Sequence, residues 1–232
     1  MKQFGLSRKL MIALAVISFS AAMVAADTCD ARGKANAAHF GGDPNRIFLI
    51  GHSAGATHVA GYVFDKSLQP SDGPGIAGAV LISGRYRVDY DPADPNGHNM
   101  QAYFGDDPSQ YSSRSPITHI RDGAKVPVFV VVTEYDNPGI DIRGAELFAA
   151  LCERDGNCPR FARLQGHNHL SEVLAFNTPD EYLGRQILAL QYFAVYANYN
   201  YLFIIRAIEH ADFPALGQPR NASPEVVMTQ LL

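Results

Sequence analysis

The sequence predicts an α/β fold: a three-layer sandwich built on a mostly parallel sheet. Three observations carry this. Ile47–Ile50, Ile76–Gly84 and Val126–Thr133 are continuous apolar runs, as expected of strands buried on both faces. They alternate with segments of helical pattern, Ala54–Val63 and Ala145–Leu151, and that alternation is the signature of parallel pairing. The first run also passes directly through Gly51-His52-Ser53-Ala54-Gly55 into a small-residue helix.

That junction is the most informative stretch of the chain. Strand, G-x-S-x-G and helix in this order form a nucleophile elbow. A serine at so sharp a turn takes a strained backbone conformation, and its flanks must be small to avoid collision across the turn. Its hydroxyl then stands clear at a helix N-terminus, where the Ala54 N–H can donate to an oxyanion.

In chain order, the first 26 residues read as an export signal rather than as part of the fold. Lys2, Arg8 and Lys9 supply a positive start, Leu10–Phe19 an apolar centre, and Ser20–Ala26 a small-residue region with a cut after Ala26. The apolar run is shorter than the roughly 20 residues a membrane span needs. The expectation is an exported protein, periplasmic or extracellular, with no span in the mature chain. In such a compartment Cys152 and Cys158, flanking a turn-like run with Gly156, are expected to bridge, leaving Cys29 over.

The 232 residues carry a formal net charge of −4 and 47% hydrophobic residues, without a basic block, which argues against a nucleic-acid surface. One domain is expected over residues 27–190, followed by an atypical tail, 191–232. Residues 30–45 read as a helix end and a loop, and 85–125 as mostly irregular. Arg160–Leu164 is a candidate fourth strand. Thr178-Pro179-Asp180-Glu181 predicts a helix start, with Thr178 as N-cap and Glu181 closing a capping box.

A serine nucleophile needs a base to take its proton and an acid to orient that base. In this kind of fold both follow the serine, acid before histidine, just past strand ends. Glu134 and Asp136 stand at the end of the third strand. His167 and His169 stand after the fourth. Both pairs leave alternatives open. His52 and His58 read as packing around the elbow; His39, His98, His119 and His210 have no motif around them.

Phe40-Gly-Gly-Asp-Pro-Asn-Arg-Ile, Gly-His-Ser-Ala-Gly-Ala, Tyr103-Phe104-Gly105, Ser115-Pro116 and Thr133-Glu134-Tyr135-Asp136 together resemble the α/β-hydrolase superfamily. The resemblance covers about residues 31–190 and is nearest the secreted carboxylesterase, feruloyl-esterase-like and arylformamidase branch. It implies Ser53 as nucleophile, Asp136 as acid and His169 as base, with Glu134 a supporting hydrogen-bonder and His167 a loop residue. It implies a small-molecule ester substrate and requires no metal or organic cofactor. A serine peptidase and an inactive remnant are the rival readings.

The chain departs from the family at its start. Residues 27–45 leave no room for the strands that precede the elbow, one of which carries the second oxyanion donor. His39-Phe40-Gly41-Gly42 resembles that motif but stands where the family has an ordinary turn. Ile47–Ile50 is therefore expected at an apolar sheet edge, an aggregation liability. A truncated or mis-joined gene product is the favoured explanation, ahead of a half-fold completed by a partner or a domain closed by its own tail. The tail, tyrosine-rich over Gln191–Ile205, contains Gln191, Asn198 and Asn200, which argue against a span.

Overall fold

The computed structural model describes residues 36–90 and 97–196. Four strands, β1 (Phe48–His52), β2 (Gly78–Ile82), β3 (Val128–Tyr135) and β4 (Arg160–Asn168), pair in the order β1-β2-β3-β4, all parallel. Every residue of β2 is buried, as are the first six of β3. These are the strands whose apolar runs are unbroken. β1 and β4 are the edges of the described sheet, and their burial is correspondingly mixed.

The helices are α1 (Ala54–Phe64), α2 (Gly97–Phe104), α3 (Ile140–Asp155), α4 (Ser171–Leu174) and α5 (Tyr182–Tyr196). Val59, Val63 and Phe64 of α1 and Leu147 and Leu151 of α3 pack with Ala79, Leu81 and Val130 on one face of the sheet. Leu183, Ile187 and Leu190 of α5 pack with Val80, Ile82, Phe129, Val131 and Leu164 on the other. Residues of consecutive parity thus serve opposite layers, which is why these strands show no polar alternation. The result is the expected three-layer sandwich. α3 lies so near β3 that a Cβ on Gly144 would come within 2.3 Å of Val132 Cγ1.

Several boundaries differ from the sequence reading. α3 starts five residues before Ala145, after Gly139 in a left-handed conformation, and Gly156, also left-handed, ends it. Cys152 and Cys158 are bridged across that turn. The stretch 85–125, expected to be irregular, contains α2 and two short 3-10 turns, Pro108–Gln110 and Pro116–His119. The capping box at Thr178 does not form. Thr178 Oγ1 accepts from Asp180 N–H and Asp180 Oδ1 from Tyr182 N–H, so the chain makes two successive side-chain turns before α5 begins. The Glu181 carboxylate pairs with Arg185 instead.

A short 3-10 turn, Ala38–Phe40, precedes β1, so the His39–Gly42 run lies ahead of the strand whose far end carries Ser53. No helix among the described residues is long and apolar enough to cross a membrane. The described residues up to Gln191 form one compact unit, and 192–196, the end of α5, fall to a second. The expected export segment 1–26, Cys29, His210 and the tail beyond residue 196 lie outside the described residues.

Candidate active site

The elbow is built by steric exclusion. Ser53 has φ 57° and ψ −124°, outside the regions an L-residue favours. Its N–H still donates to the Ile82 carbonyl at 2.9 Å, so the sheet holds it to the last hydrogen bond before the turn. A Cβ on Gly51 would lie 2.4 Å from the Gly55 carbonyl oxygen, which requires glycine there. Ala54 opens α1, and its N–H is among those that a helix leaves without an intrahelical acceptor.

Ser53 Oγ stands 2.8 Å from His169 Nε2, and His169 Nδ1 stands 2.7 Å from Asp136 Oδ1. A carboxylate accepts, so Nδ1 carries the hydrogen; Nε2 then has the lone pair that accepts the Ser53 hydroxyl. The structure therefore brings Ser53, His169 and Asp136 together. Asp136 is the first residue beyond β3, and His169 the first beyond β4.

The competing residues lie elsewhere. Glu134 is within β3, where its carboxylate accepts from Gly166 N–H at 2.9 Å and pairs with Arg163 at 3.7 Å, tying β3 to β4. His167 is within β4 and bonds Asp180 at 2.8 Å and the Ser171 hydroxyl at 3.2 Å. His58, on the exposed side of α1, bonds Tyr103 of α2. His119 Nε2–H donates to the Ser113 carbonyl at 2.8 Å and lies 3.7 Å from Asp65 Oδ2.

Three residues join the site that the sequence did not single out for it. Ser83, just beyond β2, has φ 47° and is fully buried. Its Oγ lies 2.6 Å from Asp136 Oδ2 and 3.0 Å from Glu172 Oε2. Glu172 of α4 is 1% exposed, and its Oε1 lies 3.1 Å from His52 Nε2. His52 Nε2–H also donates to the His169 carbonyl at 2.8 Å. The available signal was positional: Ser83 ends a buried parallel strand on the edge where such sheets bind ligands. Glu172, which the sequence puts among polar residues after the fourth strand, gives no such sign.

Burial works to raise the Asp136 carboxyl, but hydrogen bonds from His169, Ser83 and the Asn137 N–H outweigh it and hold the group below the usual carboxylate value. Burial works to lower the His52 imidazole, yet the Glu172 hydrogen bond, the His169 carbonyl and the charges of Glu172 and Asp136 raise it above the ordinary histidine value. His58, with only burial acting on it, is lowered.

His52, His169 and Glu172 could together offer a metal three ligand atoms, all within 4.8 Å of one another. Each is already engaged in hydrogen bonds to protein groups, so a cation would have to displace the His52–Glu172 contact and compete with Asp136 for His169.

The sheet order, the helices on both faces and the elbow give this chain the α/β-hydrolase fold. Among proteins with this fold, those it is similar to include esterases and a peptidase. A carboxylesterase family model matches residues 34–96. Among solved structures, esterase 2 of the Planctomycetes species Thermogutta terrifontis with propionate bound is similar at a TM-score of 0.52 and 20% identity, over 73% of this chain and 63% of that one. The same esterase phosphonylated by sarin gives 0.53 and 21%, over 73% and 64%. The acylaminoacyl peptidase of Pyrococcus horikoshii gives 0.51 and 16%, over 66% of this chain and 24% of that one. No curated protein matches this chain in sequence. The chain thus spans less than two-thirds of the length of the esterase it resembles.

Proposed function

We propose that this protein is a serine hydrolase of carboxylic esters. The observation that carries the reading is the unbroken hydrogen-bond chain from Ser53 Oγ through His169 to Asp136, at 2.8 and 2.7 Å. Ser53 Oγ attacks the ester carbonyl carbon as its proton passes to His169 Nε2. Asp136 keeps the Nδ1 hydrogen in place and stabilises the imidazolium. The Ala54 N–H donates to the carbonyl oxygen as it becomes an oxyanion. Collapse of the tetrahedral species expels the alcohol, protonated by His169, and leaves an acyl-serine. Water, deprotonated by the same imidazole, then releases the acid.

The carboxylesterase match and the esterase neighbours support ester over amide as substrate. The acylaminoacyl peptidase neighbour motivates the amide reading as the alternative. If Ala54 acts without a second oxyanion donor, turnover is lower by about 10²- to 10³-fold than with two. Residues 1–26 direct export, and the Cys152–Cys158 bridge suits an oxidising compartment.

Intact mass after incubation with a fluorophosphonate tests the assignment. One adduct, missing in Ser53→Ala, is expected; a cooperatively folded wild type that takes no label would reject it. Comparison of p-nitrophenyl ester and anilide turnover separates esterase from peptidase. The N-terminal residue of protein recovered outside the cytoplasm tests the export signal, with Asp27 expected.

A further inference from the structure

His169 approaches Ser53 from across the sheet. β1 and β4 are separated by β2 and β3, and at about 4.8 Å per strand their axes lie about 14 Å apart. The segment after β4 must therefore lie over the ends of β3 and β2 and stop at the right point above β1. The hydrogen bonds to Ser53 and Asp136 hold the His169 ring but not its main chain, and misplacement by about 1 Å costs a hydrolase on the order of 10²-fold in rate.

A second set of contacts meets this need. His52, the last residue of β1 and the chain neighbour of Ser53, donates from Nε2 to the His169 carbonyl at 2.8 Å. The same Nε2 lies 3.1 Å from Glu172 Oε1, and the two imidazole rings are tilted against each other with centroids 4.7 Å apart. The other oxygen of Glu172 lies 3.0 Å from Ser83 Oγ, whose one hydrogen is shared between it and Asp136 Oδ2, 2.6 Å away. A fully buried glutamate is costly unless paired, and ester hydrolysis as described makes no use of it. Its partners all belong to the apparatus around His169.

We propose that His52, held in orientation by Glu172, is a positioning residue that fixes the main chain of His169 relative to Ser53. Adjacent residues of one rigid turn then grip the histidine twice, Ser53 at the ring and His52 at the carbonyl. Both acceptors of His52 Nε2 are oxygens, a carbonyl and a carboxylate, so the donor hydrogen stays on that nitrogen in the neutral and charged ring alike. The inference rests on the assignment of Ser53 and His169 above.

The test compares His52→Leu, which removes the donor, with His52→Gln, whose side-chain amide can reach the same two acceptors. Two readouts are taken on the full chain: ester kinetics, and the downfield proton resonance of the His169 Nδ1–H donated to Asp136. His52→Leu is expected to lower kcat by about 10²-fold with KM changed less than about threefold, and to broaden or abolish the resonance. His52→Gln is expected to restore both. Should His52→Leu fail to unfold cooperatively, His52→Ser, which leaves room for water, carries the same expectation. A folded donor-less variant with wild-type kcat and resonance overturns the inference. So does a loss of kcat with the resonance unchanged, because the role of His52 then does not run through His169. If wild type neither turns over esters nor takes a fluorophosphonate, the proposed function fails by itself; the resonance, present in wild type and lost in His52→Leu, still supports the positioning role, and its absence from wild type overturns it.

Discussion

Ser83 Oγ lies 2.6 Å from one oxygen of Asp136, and the opposite oxygen of that carboxylate lies 2.7 Å from His169 Nδ1. Asp136 is thus held from both sides. Its orientation is fixed before any substrate arrives, and the ring it orients is fixed with it.

Replacing this carboxylate by an amide should keep the shape and lose the chemistry. In Asp136→Asn the side-chain NH₂ can face His169, favouring the tautomer with hydrogen on Nε2, which cannot accept the Ser53 proton. Ester kcat is expected to fall by about 10⁴-fold, with Tm within a few degrees of wild type. Steady-state kinetics beside a thermal melt checks it.

The two histidines after the third crossover should separate cleanly. His167→Gln removes the contact to Asp180 on the outer side of β4 and should leave ester kcat within about twofold, the effect of about 0.5 kcal/mol typical of surface changes. His169→Gln should abolish turnover and fluorophosphonate labelling. Equal losses in the two variants would contradict the assignment of the base.

His52 should give stability a pH dependence of definite sign. Its folded value is raised above the unfolded 6.5, so its contribution is fully present below about pH 6.5 and fades as pH rises through the folded value. The difference in unfolding free energy between wild type and His52→Gln, from urea melts between pH 5.5 and pH 9, is expected to shrink as pH rises. A difference that grows with pH would show that the imidazole is lowered on folding.

The close approach of α3 to β3 predicts a coupled pair. Gly144→Ala places a methyl against Val132 Cγ1 and should destabilise by about 1–3 kcal/mol, as overpacking does. Val132→Ala removes the obstructing atom, so the double variant should be less destabilised than the sum of the single ones. Chemical denaturation of the four proteins measures the coupling; strict additivity would mean that the two sites do not touch.

The Cys152–Cys158 bridge closes a short loop between the end of α3 and the start of β4, whereas Asp136 and His169 stand past the C-terminal ends of β3 and β4. A double Cys→Ser variant should lose about 2 kcal/mol, the chain-entropy effect for so short a loop, and retain its kcat. Ellman titration of the unreduced, denatured wild type should find a single free thiol, Cys29, if the chain retains that residue.

The sequence by itself determined the sheet and the elbow. β2 and β3 are unbroken apolar runs because helices cover both of their faces, and that pattern is local. The glycines around Ser53 are equally local, since the turn they permit spans only a few residues. Helix starts were less legible: at Thr178 the capping signal was present, but the hydroxyl was taken up by Asp180 N–H in a turn, and α5 began later. Which acid and which histidine face Ser53 was decided by where β3 and β4 end. Each strand runs past the position expected of it, keeping Glu134 and His167 inside the sheet edge and leaving Asp136 and His169 as the first residues beyond it. The meeting of Ser83, Glu172 and His52 was beyond the reach of the sequence for a related reason. Their contacts join positions 53, 89 and 120 residues apart, and only parallel pairing, which sets every strand's C-terminal end at one edge, brings such distant residues to a common point.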